Sequence, residues 1–562
     1  MLHNRRHLLG LALAAALTAC TTTPPMPAAA PQRPKLLVLV VIDGLPMRQV
    51  TGYRDQLAPD GFARFLDQGR WFADAHYAHG HTVTAAGHSV MLSGAYPQRS
   101  GIISNEWRDP ASGDPVYNTG DAAYVYLDNP TAPLAGTSPR NLKVETLGDV
   151  LRTRSPASKV IGISGKDRGA ILPAGHKGTA YMYMGETGQF TSSTYYMAAL
   201  PQWVKDFNAA KPADAFFKKT WAPMLPGYDC PQAAALPSPC AYARSVPDGQ
   251  TWQVASGNGN RLPAIVGDKM DAPGPRFYGN ILPSPFGDEL TLAFARAAVK
   301  NEQLGQRDVQ DILSVSLSSH DYINHAFGPE SRLSHDHLLH LDRYLQGFFQ
   351  FLDKEVGAGN YVLALTADHG FTDTPEWAAT QGRDAGRFTS APSLAAVNGA
   401  LAAKFGVDKL ARAFSAAGLL LNDKLAAERG LNFADVQAAA REELLKLPGV
   451  AEVFTREQLL GNDTTTPYLE AMRKSFDPTR AAQLQIVLKP HWIQSYRAGG
   501  SSHGSPYRYD THVPLLFWGP GYVGQGEMKA RVEIADLAPT LAAIAGLPAP
   551  AQAQGHDLQL KP

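Results

Sequence analysis

Six short apolar runs punctuate the chain at residues 36–42, 160–164, 312–317, 361–366, 484–488 and 513–518. Each is rich in branched aliphatic side chains, too short for a typical helix, and bounded by polar, Gly or Pro residues. Such runs are read as buried strands. Helix-patterned stretches lie between several of them, residues 288–300 and 337–356 among them. Alternating strands and helices predict an α/β fold: a mostly parallel central sheet with helices on both faces. Two stretches interrupt the rhythm. Residues from about 171 to 285 are rich in Gly, Pro, Trp and Tyr and show little periodicity; residues from about 376 to 482 contain helical patterns at 401–405 and 433–447. Both are read as insertions above the edge of the sheet where the site lies. The apolar residues of Ile534-Ala535-Asp536-Leu537-Ala538-Pro539-Thr540-Leu541 are read as core.

The chain has 562 residues, a length that suits two to four domains or one large domain carrying insertions, and the single sheet is read as one such domain over 35–562. Lys+Arg and Asp+Glu both number 51, and the balance gives no basic excess of the kind that accompanies nucleic-acid binding. Residues 1–19 read as an export signal: Arg5 and Arg6 precede the apolar stretch 8–17, which is too short to span a bilayer. Leu17-Thr18-Ala19-Cys20 resembles a bacterial lipobox, in which Cys20 would carry lipid. A plain secretory signal with an incidental cysteine is the alternative. The Thr/Pro/Ala-rich residues 20–34 then form a disordered tether, and the expected location is the periplasm, anchored to the outer membrane or secreted. Cys230 and Cys240 remain in a Pro-rich loop, where an oxidising compartment favours a disulfide over a zinc site.

Acidic and histidine residues follow the predicted strands. Asp43 comes after 36–42, Asp321 after 312–317, and Asp368-His369 after 361–366. Open α/β sheets bind ligands at the carboxyl ends of their strands. In Asp321-Tyr322-Ile323-Asn324-His325 a carboxylate and an imidazole stand four apart, on one face of a helical turn. Gly370 allows Asp368 and His369 to turn toward one region. Gly500-Ser501-Ser502-His503-Gly504-Ser505 adds a histidine on a loop of small residues. Any one of these is more often a cap or turn residue. Their convergence points to a metal centre, with the N and O donors that suit zinc. Thr84, before a small-residue helix start, is either a plain cap or a nucleophile set where backbone N–H groups and the helix dipole favour a phosphoryl group. A cation beside it would supply the activation its hydroxyl lacks.

Seven segments in order resemble the motifs of the PafA-type alkaline phosphatases, in the type I phosphodiesterase/nucleotide pyrophosphatase-like part of the alkaline phosphatase superfamily. They are Val41-Ile42-Asp43-Gly44, Thr82-Val83-Thr84-Ala85-Ala86-Gly87-His88, Gly101-Ile102-Ile103-Ser104-Asn105, Lys166-Asp167-Arg168-Gly169-Ala170, Asp321-Tyr322-Ile323-Asn324-His325, Ala367-Asp368-His369-Gly370 and Ser502-His503-Gly504-Ser505. The resemblance runs from about residue 36 to the C-terminus. It implies hydrolysis of small-molecule phosphate monoesters through a phosphothreonine at Thr84, with two Zn²⁺ ions. Asp43, Asp368 and His369 would hold one zinc, which also meets Thr84. Asp321, His325 and His503 would hold the other, on the side of the leaving oxygen. Asn105, Lys166 and Arg168 would contact the non-bridging oxygens. His79, His81, His88, His320 and His512 are read as supporting or packing groups.

Three other readings compete. A phosphodiesterase or nucleotide pyrophosphatase would use the same two-zinc core, but relatives of that kind lack the Lys/Arg pair. A sulfatase is disfavoured because Ala95 in Ala95-Tyr96-Pro97-Gln98-Arg99 stands where a Cys or Ser is required. A lipid-anchored solute-binding protein would need neither metal nor turnover, and the six-ligand set argues against it.

Overall fold

Nine strands build the central sheet: β1 (Leu36–Ile42), β2 (Arg70–His76), β3 (Val160–Ser164), β4 (Thr179–Met184), β5 (Gln189–Thr191), β6 (Asp311–Leu317), β7 (Tyr361–Thr366), β8 (Leu515–Trp518) and β9 (Gly526–Glu533). The computed structural model describes residues 33–128, 136–232, 240–495 and 498–561. The signal, Cys20 and nearly all of the tether lie outside the described residues.

The order across the sheet is β9-β2-β8-β7-β1-β6-β3-β4-β5. The β9·β2, β7·β1, β1·β6, β6·β3 and β3·β4 pairings are parallel; β2·β8, β8·β7 and β4·β5 are antiparallel. The sheet is mostly parallel, as expected. Every residue of β1, β3, β6 and β7 is buried, which is why these strands are apolar without alternation.

Helices cover both faces, and β3 and β4 show how. The main helices are α1 (Thr84–Ser93), α2 (Asp167–Ala174), α3 (Pro285–Glu302), α4 (Ser319–Phe327) and α5 (Arg332–Leu352). A Cβ at Gly162 of β3 would meet the Ala170 carbonyl of α2 at 2.1 Å, so only glycine lets that helix lie so close. Ala180 of β4 is the register partner of Gly162 and shares its face. Its neighbour Tyr181 points the other way, edge-on to Phe294 of α3 with ring centroids 5.4 Å apart.

Four sheet strands were not expected from the sequence. Two of them, β4 and β5, fall within the stretch read as an irregular insertion from about 171, so the sheet continues to Thr191 before irregular chain begins. The other two, β2 and β9, mix apolar and charged residues, and β9 is exposed along most of its length. Leu484–Leu488 is a strand as predicted, but of a different sheet. It joins Ala411–Ser415, Gly418–Leu421 and Val450–Thr455 in a four-stranded antiparallel sheet. Helices Ser390–Phe405 and Phe433–Lys446 share a core with that sheet through Val397, Leu401, Val436, Leu444 and Leu484. The second inserted unit therefore runs past residue 482, to Trp492–Gln494, which pairs with Gly386–Phe388. Cys230 and Cys240 are disulfide-bonded.

Candidate metal centre

The parallel strands β1, β3, β6 and β7 deliver four chain segments to one end of the sheet. Asp43 directly follows β1, Lys166 follows β3, Asp321 lies on α4 after β6, and Asp368-His369 follow β7. His325 stands one turn after Asp321 on α4, and Thr84 is the first residue of α1. Asp43, Asp368 and His369 are 0 % exposed, Thr84 1 % and Asp321 3 %.

The candidate ligands fall into two groups, Asp43–Asp368–His369 and Asp321–His325–His503, each with its ligand atoms within 4.8 Å of one another. In the first, His369 Nε2 is 3.5 Å from both Asp43 Oδ1 and Asp368 Oδ2. In the second, Asp321 Oδ1 is 3.3 Å from His325 Nε2 and 3.7 Å from His503 Nε2. The groups adjoin: His369 Nε2 is 4.0 Å from Asp321 Oδ1, and the His369 and His503 rings stack at 3.4 Å. Thr84 Oγ1 lies 3.5 Å from His369 Nε2.

Two features make this donor set fit a pair of cations. First, each histidine commits Nδ1 to a backbone carbonyl: His369 to Gly370 (2.9 Å), His325 to Ser501 (2.9 Å) and His503 to Thr82 (2.8 Å). A carbonyl only accepts, so Nδ1 carries the proton and Nε2 turns its lone pair to the cluster. Second, Asp43 Oδ1, Asp321 Oδ1 and Asp368 Oδ2 are buried without a hydrogen-bond partner among the described residues. These are the oxygens that face the imidazoles. Buried carboxylate oxygens need a partner, and a divalent cation with N and O ligands would satisfy all of them.

The electrostatics agree. Burial, reinforced by the Asp368 carboxylate, pushes Asp43 well above the usual carboxylate range. Burial also opposes ionisation of Asp321, but Lys166 and the histidines outweigh it and hold it well below that range. Burial, with His369 and His325 alongside, keeps His503 neutral far below its usual pKa, and burial lowers His369 as well. A neutral imidazole is what a metal needs.

Lys166 stands between the groups, its Nζ donating to Asp43 Oδ2 (2.7 Å) and Asp321 Oδ2 (2.5 Å), 4.9 Å above the Tyr322 ring. Arg168 reaches the Tyr117 hydroxyl at 3.3 Å, and its buried Nε has no partner among the described residues. Asn105 is at the start of α1, where its Oδ1 accepts from the Ala85 N–H at 2.8 Å.

The remaining histidines differ in part. His88, one turn beyond Thr84, donates from Nδ1 to the Thr84 carbonyl (2.8 Å), lies 3.3 Å from Asp368 Oδ2 and accepts from Ser316 Oγ (2.8 Å). His320 turns from the cluster toward Gln49 and His337. His81 bridges Gly504 O and Ser104 Oγ, while His79 lies edge-on to Tyr77. His512 belongs to a third group with Asp74 and His76. There Arg508 Nη1 already reaches Asp74 Oδ1 (2.6 Å) and His76 Nε2 (3.0 Å), so a guanidinium supplies the positive charge. Sequence reasoning missed Asp510, whose Oδ2 accepts from Gly504 N, Ser505 N and Ser505 Oγ and so fixes the His503 loop. It also missed Tyr117, which with Thr119 grips Asp167 between Lys166 and Arg168. The five- and six-residue spacings of Asp510 from its partners are not a motif, and Tyr117 is 50 residues from Asp167.

Comparison with known proteins gives a consistent set. A family model described as type I phosphodiesterase / nucleotide pyrophosphatase matches residues 37–512. The chain is 32% identical over 560 residues to the alkaline phosphatase PafA of Elizabethkingia meningoseptica, covering 99% of each. It is 35% identical over 518 residues to a Myroides odoratus protein named calcium-transporting ATPase, covering 91% of this chain and 92% of that one. A crystal structure of PafA superposes with a TM-score of 0.86 at 32% identity, covering 95% of this chain and all of the other.

Proposed function

Because the chain belongs to the type I phosphodiesterase/nucleotide pyrophosphatase family, in which it hydrolyses phosphate esters, we propose that it is an alkaline phosphatase using two zinc ions and a phosphothreonine at Thr84. The three imidazole Nε2 atoms and three unpaired carboxylate oxygens turned on one another beside Thr84 carry this reading. Asp43, Asp368 and His369 would hold one zinc and Asp321, His325 and His503 the other. Bound there, the pair supplies Lewis-acid charge for in-line displacement at phosphorus and makes nearby hydroxyls more acidic.

The chain's own groups do the rest. Thr84 Oγ gives up its proton and forms a bond to phosphorus while the bond from phosphorus to the ester oxygen breaks, and the leaving oxygen takes the electron pair and then a proton from solvent. Water then attacks phosphorus with loss of a proton, Thr84 Oγ leaves with its electron pair and is reprotonated, and inorganic phosphate is released. The start of α1 favours the phosphoryl group through its dipole and free N–H groups. Asn105, Lys166 and Arg168 hold non-bridging oxygens, Arg168 as a planar fork and Lys166 as a point charge. A monoester dianion presents three such oxygens and suits this set. His88 steadies Asp368 and the backbone of Thr84 together. Asp321, His325 and His503 stand on the leaving-oxygen side. Residues 1–19, read as an export signal, and Cys20, read as a lipidation site, would place the chain in the periplasm on a lipid anchor, or secreted.

Turnover of 4-nitrophenyl phosphate and bis(4-nitrophenyl) phosphate by wild type and Thr84→Ala tests the proposal. We expect the monoester to be the faster substrate, and Thr84→Ala to lose on the order of a thousandfold in kcat/KM. Near-normal turnover by Thr84→Ala would remove the nucleophile. A faster diester would favour the phosphodiesterase/nucleotide pyrophosphatase reading of the same core.

A further inference from the structure

A cavity of about 80 Å³ lies between the second inserted unit and the loop that carries His503. Phe388, Phe414, Ile486 and Trp492 of the inserted unit line it, and so do His503 and Gly504 of the loop. The cavity thus adjoins the Asp321–His325–His503 group. Phe414, Ile486 and Trp492 are only half-buried, so their apolar surface is not consumed by packing. The space persists because the hairpin tip Ala416-Ala417-Gly418 brings almost no side chain to it. Nothing larger fits at the last of these, where a Cβ would meet the Leu484 carbonyl at 2.3 Å. Polar side chains line it as well, among them His81, Thr372, Ser505 and Tyr509. Asp510 also borders the cavity, and its Oδ1 is buried with no hydrogen-bond partner among the described residues. An apolar wall facing a few polar side chains has the composition of a small-molecule pocket rather than a packing defect.

We propose that this cavity receives the body of the ester's leaving group, so that the preferred substrates are phosphate monoesters of aromatic or bulky alkyl alcohols. The inference rests on the phosphomonoesterase reading, which sets His503 on the leaving-oxygen side. The carbon skeleton attached to that oxygen meets the inserted unit, and small polyol esters leave the apolar wall uncovered. The inserted unit then selects substrates without contributing to the chemistry at phosphorus.

The test compares kcat/KM for 2-naphthyl phosphate and glycerol phosphate in wild type, Ala417→Phe and Trp492→Ala. The first variant fills the cavity and the second removes part of its wall. We expect each to lower kcat/KM for the naphthyl ester about tenfold or more, through KM, with the glycerol ester little changed. If both esters change in parallel, or neither changes, in a folded variant of either kind, the cavity does not bind the leaving group. Should wild type hydrolyse neither ester, the phosphomonoesterase reading falls with it. Normal wild-type turnover with an unaltered ester preference in the variants overturns the cavity assignment alone.

Discussion

What a histidine does here depends on what its second nitrogen is bound to. His325, His369 and His503 spend Nδ1 on carbonyls and turn Nε2 toward carboxylates. His335 spends both. It is fully buried, bonded to Ser245 Oγ at 2.6 Å and Gln56 Oε1 at 2.7 Å, and stacked on Tyr53 at 3.6 Å. Burial pushes its pKa down to about 3. In the unfolded chain the same ring takes a proton near its ordinary value of 6.5. Between those values the unfolded state binds the extra proton, so the contribution of His335 is intact above pH 6.5 and falls as the pH is lowered. The slope from this one group approaches about 1.4 kcal/mol per pH unit. Urea unfolding of wild type and His335→Gln at pH 7.5, 6.5 and 5.5 checks it. Wild type should lose stability more steeply than the variant on acidification, and parallel slopes would refute the assignment.

Helix α1 shows how much of a site is decided by an element rather than a side chain. It starts at Thr84 after the extended Val83 and ends at Gly94 in the left-handed region, and all ten of its residues are buried. Its small residues let it press against the segment that bears Asp368. A Cβ at Gly87 would meet the Asp368 carbonyl oxygen at 2.1 Å, and a backbone atom has little freedom to move aside. Gly87→Ala should therefore cost about 1–3 kcal/mol by overpacking and separate Thr84 from the Asp368 group. Thermal unfolding and metal content together read this out; a variant with wild-type Tm and full metal would contradict it. The sequence reveals Asp43, Asp321 and Asp368 readily, because they close apolar runs that the parallel β1, β6 and β7 carry to one end of the sheet. It conceals β2 and β9, whose Arg70, Asp74, Lys529 and Arg531 break the apolar pattern toward the sheet edge. Nor does it say to which sheet Leu484–Leu488 belongs, since an apolar strand reads alike in either. The carbonyls of Thr82, Ser501 and Gly370 that orient the histidines leave no trace in residue type at all.

At the scale of the molecule, one sheet supplies the chemistry and a unit with its own core lies beside it. Phe388, Leu419, Val436 and Leu444 give that unit its own apolar packing, so its surface toward the His503 loop can vary without disturbing β1, β6 or β7. The balance of 51 basic and 51 acidic residues conceals a strongly polarised centre: three carboxylates from distant segments are buried together, and one lysine reaches two of them, Asp43 and Asp321. Packing three carboxylates together is costly unless cations compensate them. Metal analysis of the purified protein by plasma mass spectrometry tests that compensation most directly. We expect about two zinc ions per chain, kept in Thr84→Ala. Fully active wild-type protein carrying no divalent metal, or holding its metal after Asp43 and Asp321 are both replaced by alanine, would contradict the two-cation centre.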